Sequence, residues 1–452
     1  MLSFSNRPST TVVLLLMLSF KFGFGQSLKE LLKQAESDYP LLKAKRYEVQ
    51  ARTHQVSYTK STAMPSLDVA YQANNATYNN ITGMAYGQVF VPISGPPSTG
   101  NTYSGVYGSA AGLLINWDFF TFGQRTSKIE SARAFLGYQE ADASQEIFQH
   151  QIRTANAYLD AILARELIRV FQKNLELSKD NVRIIKSLTV SGLRPGTDTA
   201  SFSAELSKAK IELLTFEKQK AATELLLSQF LGGSTTFTID SSFFIKLPIS
   251  DFSDSIQSHP LIKLSESKLQ MSLKEQNSLR KSLYPKLSFW GSAYARGSGI
   301  RYDGYVNSTD GLSFSRYNYG AGLTLSVPIL KFVNVNHQLH AQQSLIKADE
   351  ERLNLTKLEL AKQNELAELT LSNAIKIAKE SPAFYKSAEF CYRTLKSKYT
   401  SGLINYTDFV QSQYILIKSE ADLKRAFIEA WKSLLFKAAT TGDINVFLNQ
   451  IN

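Results

Sequence analysis

Two spacings of apolar residues take turns along this chain. From Tyr138 to Val190 there is no Gly or Pro, and Ile152, Ala155, Leu159 and Ile162 step by three and four. That spacing puts them on one face of a helix. Further on, Tyr319, Ala321, Leu323, Leu325 and Val327 alternate with Gly320, Gly322, Thr324 and Ser326. Ala111, Leu113, Ile115 and Trp117 alternate in the same way with Ala110, Gly112, Leu114 and Asn116. Period two with one apolar face predicts half-buried strands. A strand of about ten residues with this alternation is also what a membrane β-barrel requires.

Extended over the whole chain, the pattern predicts one order of elements twice. The first set is a helix over 28–62, strands over 65–75 and 107–118, a long helix over 124–189 and a return helix over 198–231. The second is a helix over 254–283, strands over 285–296 and 318–329, a long helix over 334–399 and a return helix over 408–440. Residues 233–253 then read as an equatorial linker and 441–452 as a tail. Each long helix, at 1.5 Å per residue, spans roughly 100 Å. A helix of that length is not stable alone and needs packing partners.

The residues themselves repeat as well. "YPLLKAKRYEVQ" from Tyr39 returns as "HPLIKLSESKLQ" from His259, and Pro65 and Leu67 return as Pro285 and Leu287, all at an offset of 220. After the polar loops the offset falls to 210, where "AGLLINWDFFTF" (111–122) matches "AGLTLSVPILKF" (321–332). At that offset Ser191, Gly192, Leu193, Thr197 and Asp198 match Ser401, Gly402, Leu403, Thr407 and Asp408. The chain thus reads as an internal duplication, repeat 1 over 26–232 and repeat 2 over 254–440, with one loop ten residues shorter in the second copy.

The repeated turn reads first as the tip of a helical hairpin. Gly192 and Gly402 suit the position after a helix where φ is positive. Thr197 and Thr407 are the expected N-caps of the return helices, and Asp198 and Asp408 fall in their first turns, where negative charge is favourable. Two departures from regularity stand out. Gly123 is matched by Val333, so the two strand-to-helix junctions should bend differently, and Pro382 inside the second long helix should kink or break it.

Composition narrows the function. The N-terminus reads as a secretory signal peptide over 1–25: Arg7, then "TVVLLLMLSF", then Gly23 and Gly25 as the small pair before the cut. Its apolar run is about half of the ~20 residues that a spanning helix needs. The single Cys391 cannot form an internal disulfide. The net charge of +11 comes from basic residues interleaved with acids, which is no nucleic-acid footprint. His337 and His340 sit three apart without a third ligand, so no metal site is expected, and no cofactor. No nucleophile triad, phosphate loop or carboxylate pair points to an enzyme.

If the four strands lie in lipid, they pose a problem. Open sheet edges facing lipid leave backbone groups unpaired at several kcal/mol each. Four strands cannot close a barrel around side chains, for which about eight are the minimum. The sheet must be shared between copies: two chains give a filled barrel of eight strands, three give twelve and a pore.

In this order of elements the chain resembles the TolC-like family of outer membrane efflux and secretion channels. The likeness covers roughly 28–440 and rests on the duplicated unit, on "INWDFFTFGQR" (115–125), on "SVPIL" (326–330) and on "SGL" at both tips. It implies a mixed α+β membrane protein and a homotrimer. A twelve-stranded barrel would lie in the outer membrane of a Gram-negative bacterium and an α-barrel in the periplasm. It also implies a periplasmic adaptor and an inner-membrane transporter as partners. Gly192, Leu193, Gly402 and Leu403 are the candidate adaptor-docking residues. Asp180, Arg183, Lys186, Tyr392, Arg393 and Lys396 are the candidate gate. Efflux and polypeptide secretion both fit such a channel, and a poreless periplasmic coiled-coil adaptor is the reading from another class.

Overall fold

The computed structural model describes residues 27–77, 84–86, 89–91, 100–101, 103–233, 237–249, 258–301, 303 and 305–451. The expected signal peptide lies outside them. In chain order the elements are α1 (Leu28–Asp38), α2 (Pro40–Ser61), β1 (Ser66–Ala76), β2 (Met84–Tyr86), β3 (Val89–Val91), β4 (Val106–Phe120), α3 (Gln124–Val190) and α4 (Gly196–Phe230). After a short 3-10 turn at Ser242–Ile245 come α5 (Pro260–Lys281), β5 (Lys286–Ser298), a second 3-10 turn at Ser308–Leu312 and β6 (Arg316–Ser326). The chain ends with α6 (Lys331–Thr400), α7 (Tyr406–Thr441) and α8 (Asn445–Ile451).

Contacts divide the chain into two units. One comprises the residues up to Ala44, Gln145–His259 and those from Leu358 on, and the other comprises Lys45–Ser144 and Pro260–Lys357.

The second unit holds an antiparallel sheet in the order β1-β4-β5-β6. Its register carries one division through all four strands. Ser66 faces Asn116, Asn116 faces Trp290, and Trp290 faces Gly322. Next to them Leu67 faces Ile115, Ile115 faces Gly291, and Gly291 faces Ala321. The first row belongs to a face that also carries Asp68, Asp118, Lys286, Arg296 and Arg316, the charged residues of these strands. The second row belongs to a face with Leu67, Val69, Leu113, Leu323 and Leu325, all of them exposed in the single chain. Aromatic residues mark both ends of this apolar face, Trp117 and Phe289 at one and Tyr71, Tyr317 and Tyr319 at the other. On the polar face Trp290 lies across β6, and a Cβ at Gly322 would come within 2.8 Å of the indole nitrogen. Alternating glycines in β6 thus make room for one large ring.

The first unit is a helical bundle with an alanine-rich core. Ala155, Ala161, Ala378, Ala430 and Ala438 are fully buried, and small side chains let helix axes approach closely. Trp431 fills the centre, edge-on to Phe243 and Phe447, with its Nε1 donating to the Lys246 carbonyl at 3.1 Å. The residues expected to form a tail pack here too: α8 buries Phe447 and Leu448 against this core.

Several sequence expectations need correction. The helix expected over 28–62 is two helices. Tyr39 between them is extended, at φ −67° and ψ 124°, because the following Pro40 disfavours helical geometry at its predecessor. Of the helix expected over 254–283, residues 254–257 lie outside the described residues, and α5 runs from Pro260, a residue suited to a first helical position. At Pro382, where a kink or break is expected, α6 is not broken: it is one helix from Lys331 to Thr400. Its neighbours on both sides are held by packing, with Ala374, Ile375 and Ala378 in the bundle core and Tyr385 and Tyr392 in the cluster near the tips. That packing outweighs one lost hydrogen bond. The two strand-to-helix junctions do differ. Phe122 and Gly123 both have positive φ, 48° and 91°, whereas no described residue of the second junction does.

His150 illustrates the bundle's electrostatics. It is fully buried, its ring stacks on Tyr39 with centroids 4.0 Å apart, and its Nε2 donates to the Phe230 carbonyl at 3.1 Å. Burial lowers its pKa, with a smaller push from Arg153, while the Phe230 carbonyl and Glu146 act the other way. The folded state favours the neutral ring. Its stabilisation is complete above the ordinary histidine value of about 6.5 and is lost as pH falls below it. The unfolding temperature of the wild type should therefore drop between about pH 7.5 and about pH 5, and His150→Gln should flatten part of that drop.

Candidate functional site

Each long helix of the first unit ends in the same turn. Gly192 has φ 71° and Gly402 has φ 80°, as expected for the residue that closes a helix. The Leu193 amide donates to Leu188 O and the Gly192 amide to Thr189 O, at 2.9 and 3.0 Å. The Leu403 amide donates to Lys398 O and the Gly402 amide to Tyr399 O, at 2.9 and 3.1 Å. Both turns are Schellman motifs. Leu193 and Leu403 project from them, 69% and 74% exposed.

The N-caps are not Thr197 and Thr407. Helix α4 starts at Gly196 behind Pro195, without a side-chain cap, and α7 starts behind Asn405, whose side chain accepts from the Asp408 amide at 2.9 Å. Each threonine lies inside its helix, because the helix begins before it. Asp198 and Asp408 do occupy the first turns.

What joins the two turns centres on Arg194 and Tyr399, two residues that the repeat does not share. Arg194 reaches from the first turn to the second and donates to the carbonyls of Tyr399 and Ile404, at 2.7 and 3.0 Å. Its guanidinium lies 4.3 Å from the centre of the Tyr399 ring. The Tyr399 hydroxyl in turn donates to the Asp198 carboxylate at 2.8 Å. Tyr399 is 2% exposed and stacks on Phe409, while Phe202 meets Tyr406 edge-on. Burial pushes the Tyr399 pKa up, and the bond to Asp198 adds to that, so the phenol keeps its proton and remains a donor. A polar strip lies behind this cluster, where Gln413 of α7 bonds Asn174, Ser178 and Asn181 of α3.

The sequence-predicted gate residues fall around this cluster in different settings. Asp180 and Arg183 form an exposed ion pair at 3.1 Å, and Lys186 is exposed one turn further on. Arg393 pairs with Glu389 at 2.7 Å on the surface, and Lys396 is half-buried. Tyr392 is instead inside the chain, 5% exposed and stacked on Phe409. Sequence reasoning missed Arg194 and Tyr399 as partners. Their signal was a break in the repeat: at the 210 offset Arg194 meets Ile404 and Tyr399 meets Thr189.

Among the described residues no group of His, Cys, Asp and Glu is placed to hold a metal ion, and no helix is long and apolar enough to cross a membrane. A sheet divided into a charged face and an exposed apolar face, joined in sequence to paired helical hairpins, defines the fold of an outer membrane channel. The chain belongs to the outer membrane efflux protein family, whose model matches residues 7–233. No curated protein matches the sequence significantly. Among solved structures the chain is similar to the CmeC outer membrane channel of Campylobacter jejuni, at 14% identity and a TM-score of 0.75, with 92% of this chain and 86% of that one covered. It is similar to the outer membrane protein VceC of Vibrio cholerae, at 14% identity and a TM-score of 0.73, covering 92% and 96%. It is also similar to the open state of the Neisseria gonorrhoeae MtrE channel, at 13% identity and a TM-score of 0.72, covering 92% and 89%. At these identities the likeness is one of fold.

Arg194 makes the tie between the turns testable without reference to transport. Charge-assisted hydrogen bonds contribute about 1.5–3 kcal/mol. Arg194→Ala should therefore speed amide exchange across residues 399–406 on the order of 30-fold, with little change in the bundle core. Unchanged exchange there would mean that the turns are held by aromatic packing alone.

Proposed function

We propose that this chain is the outer membrane channel of a tripartite efflux system, a passive conduit that crosses periplasm and outer membrane. The observation that carries the reading is the sheet. Its charged residues share one face, its other face is apolar and exposed, and β1 and β6 are both left as open edges. In lipid such edges are costly, and they are satisfied when β6 of one copy pairs with β1 of the next. Three copies of the four strands then give a twelve-stranded barrel with the charged face inside. The duplicated helical hairpins supply the periplasmic α-barrel of the same homotrimer.

On this reading the joined turns are the closed periplasmic gate. The Arg194 bonds and the Tyr399–Asp198 bond hold the second hairpin against the first, and the channel widens when they part. Asp180, Arg183, Lys186, Arg393 and Lys396 line the approach, and Tyr392 acts through packing. Gly192, Leu193, Gly402 and Leu403 form the docking tip for a periplasmic adaptor, which brings the inner-membrane transporter that supplies energy. Two apolar side chains on otherwise polar turns support that assignment.

Electron microscopy of the detergent-extracted protein should show three-fold symmetry, and a soluble monomer would end the channel reading. Replacing Leu193 and Leu403 together by Glu should abolish efflux in cells while the trimer still assembles. Undiminished efflux in that variant would remove the tips from adaptor docking. Tyr399→Phe, which deletes the bond to Asp198, should raise the resting conductance of the channel in planar bilayers several-fold. A conductance equal to wild type would show that this bond does not hold the gate.

A further inference from the structure

At the foot of the sheet in the second unit, where β5 and β6 adjoin their helices, lies a cleft of about 450 Å³. Lys128 of α3, Lys286 of β5 and Lys331 of α6 line it, together with the hydroxyl-bearing Ser278, Ser282 and Ser326. The amides of Gln124 and Gln338 complete the polar lining, and no Asp or Glu takes part. The balance of charge is uneven. Lys286 pairs with Asp118 at 3.2 Å, and that carboxylate is also held by the Ser288 hydroxyl at 2.6 Å. Lys331 reaches only the Ser282 carbonyl, at 3.5 Å, and Lys128 has no ion pair among the described residues. The Ser282 Oγ is buried with no hydrogen-bond partner. Three lysines and three serines therefore line one cleft whose lining holds no carboxylate, and of these lysines only Lys286 has an ion pair among the described residues.

The register fixes which side of the sheet the cleft belongs to. Lys286 and Ser326 are direct cross-strand partners on the charged face. We propose that this cleft is an oxyanion site, which takes a phosphate or sulfate group carried by a soluble anion. The chemistry fits: ammonium groups are point-charge partners of such oxyanions, and hydroxyls satisfy the remaining lone pairs. The face selects a solute rather than a lipid headgroup, since it is the apolar face that meets lipid. The placement in a pore rests on the channel reading, whereas the site itself rests on the cleft. In an assembled channel, one such site per chain forms a positive collar at the mouth of the barrel and biases passage towards anions.

Two measurements separate these layers. Inorganic phosphate titrated calorimetrically into the detergent-extracted protein should bind saturably. Lys128→Gln with Lys331→Gln should weaken that binding at least tenfold, with an unchanged unfolding temperature. Phosphate binding that is absent in the wild type, or equally strong in the double variant, overturns the site. The exposed Lys128→Gln single variant, expected to weaken binding several-fold, serves if the pair does not fold. In planar bilayers under a potassium chloride gradient, the reversal potential should lie on the anion side in wild type and move towards zero in the double variant. A cation-side potential in wild type overturns the collar even if channels conduct. Phosphate binding with no conductance at all would leave the site standing and remove the channel reading instead. Anionic phosphatidylglycerol vesicles that compete with phosphate for the site would overturn its assignment to the soluble face.

Discussion

Unpaired backbone groups at a sheet edge are intolerable in lipid, and most of this molecule's design follows from that constraint. The four strands carry one apolar face and one charged face, which on the channel reading we propose suits a boundary between lipid and water. Yet β1 and β6 each pair on one side only, and among the described residues their outer edges have no partner strand. On the channel reading we propose, the same physics that suits the sheet to a membrane requires a further copy to pair its open edges. The exposed Leu67, Val69, Leu323 and Leu325 would meet lipid in the barrel we propose.

The helical part answers a different problem. A helix of 67 residues and one of 70 residues cannot stand alone in water. In the bundle, alanines at the crossings let α3, α6 and α7 pack closely, and Trp431 fills the space that such small residues leave. Near the tips the packing changes character. Aromatic rings replace alanines there, and the polar strip of Asn174, Ser178, Asn181 and Gln413 runs beside them.

The two hairpins share part of their tip sequence, and the function we assign to the tips lives in their differences. The shared residues, Gly192 with Leu193 and Gly402 with Leu403, make two identical Schellman closures. The unshared ones, Arg194 and Tyr399, make the connection between those closures. A symmetric pair of turns would have no reason to prefer one relative position. A single arginine capping the other turn's carbonyls supplies that reason. The positive cleft at the foot of the sheet is likewise an asymmetry, since Lys331 and Lys286 belong to the second half of the chain and Lys128 to the first.

Much was legible in the sequence because period and punctuation are local properties. Alternation at 319–327 identified a strand and its two faces, because successive side chains on a strand must point opposite ways. Spacing at 152–162 identified a helix face, and "SGL" identified a turn, because positive φ favours glycine. What the sequence did not determine was set by neighbours distant along the chain. Helix α6 continues through Pro382 because cores on both sides hold it. Tyr392, a candidate gate residue in the sequence, is buried because Phe409, on another helix, covers it. Asn405 caps α7 where Thr407 was expected, because the turn ends two residues earlier than its threonine implied. Arg194 finds Tyr399 across 205 residues of chain, a contact that no local pattern encodes. Local sterics and hydrophobic period thus fixed the elements and their faces. Only the packing of helices over long sequence separations decided which side chains meet, and therefore where a gate can be.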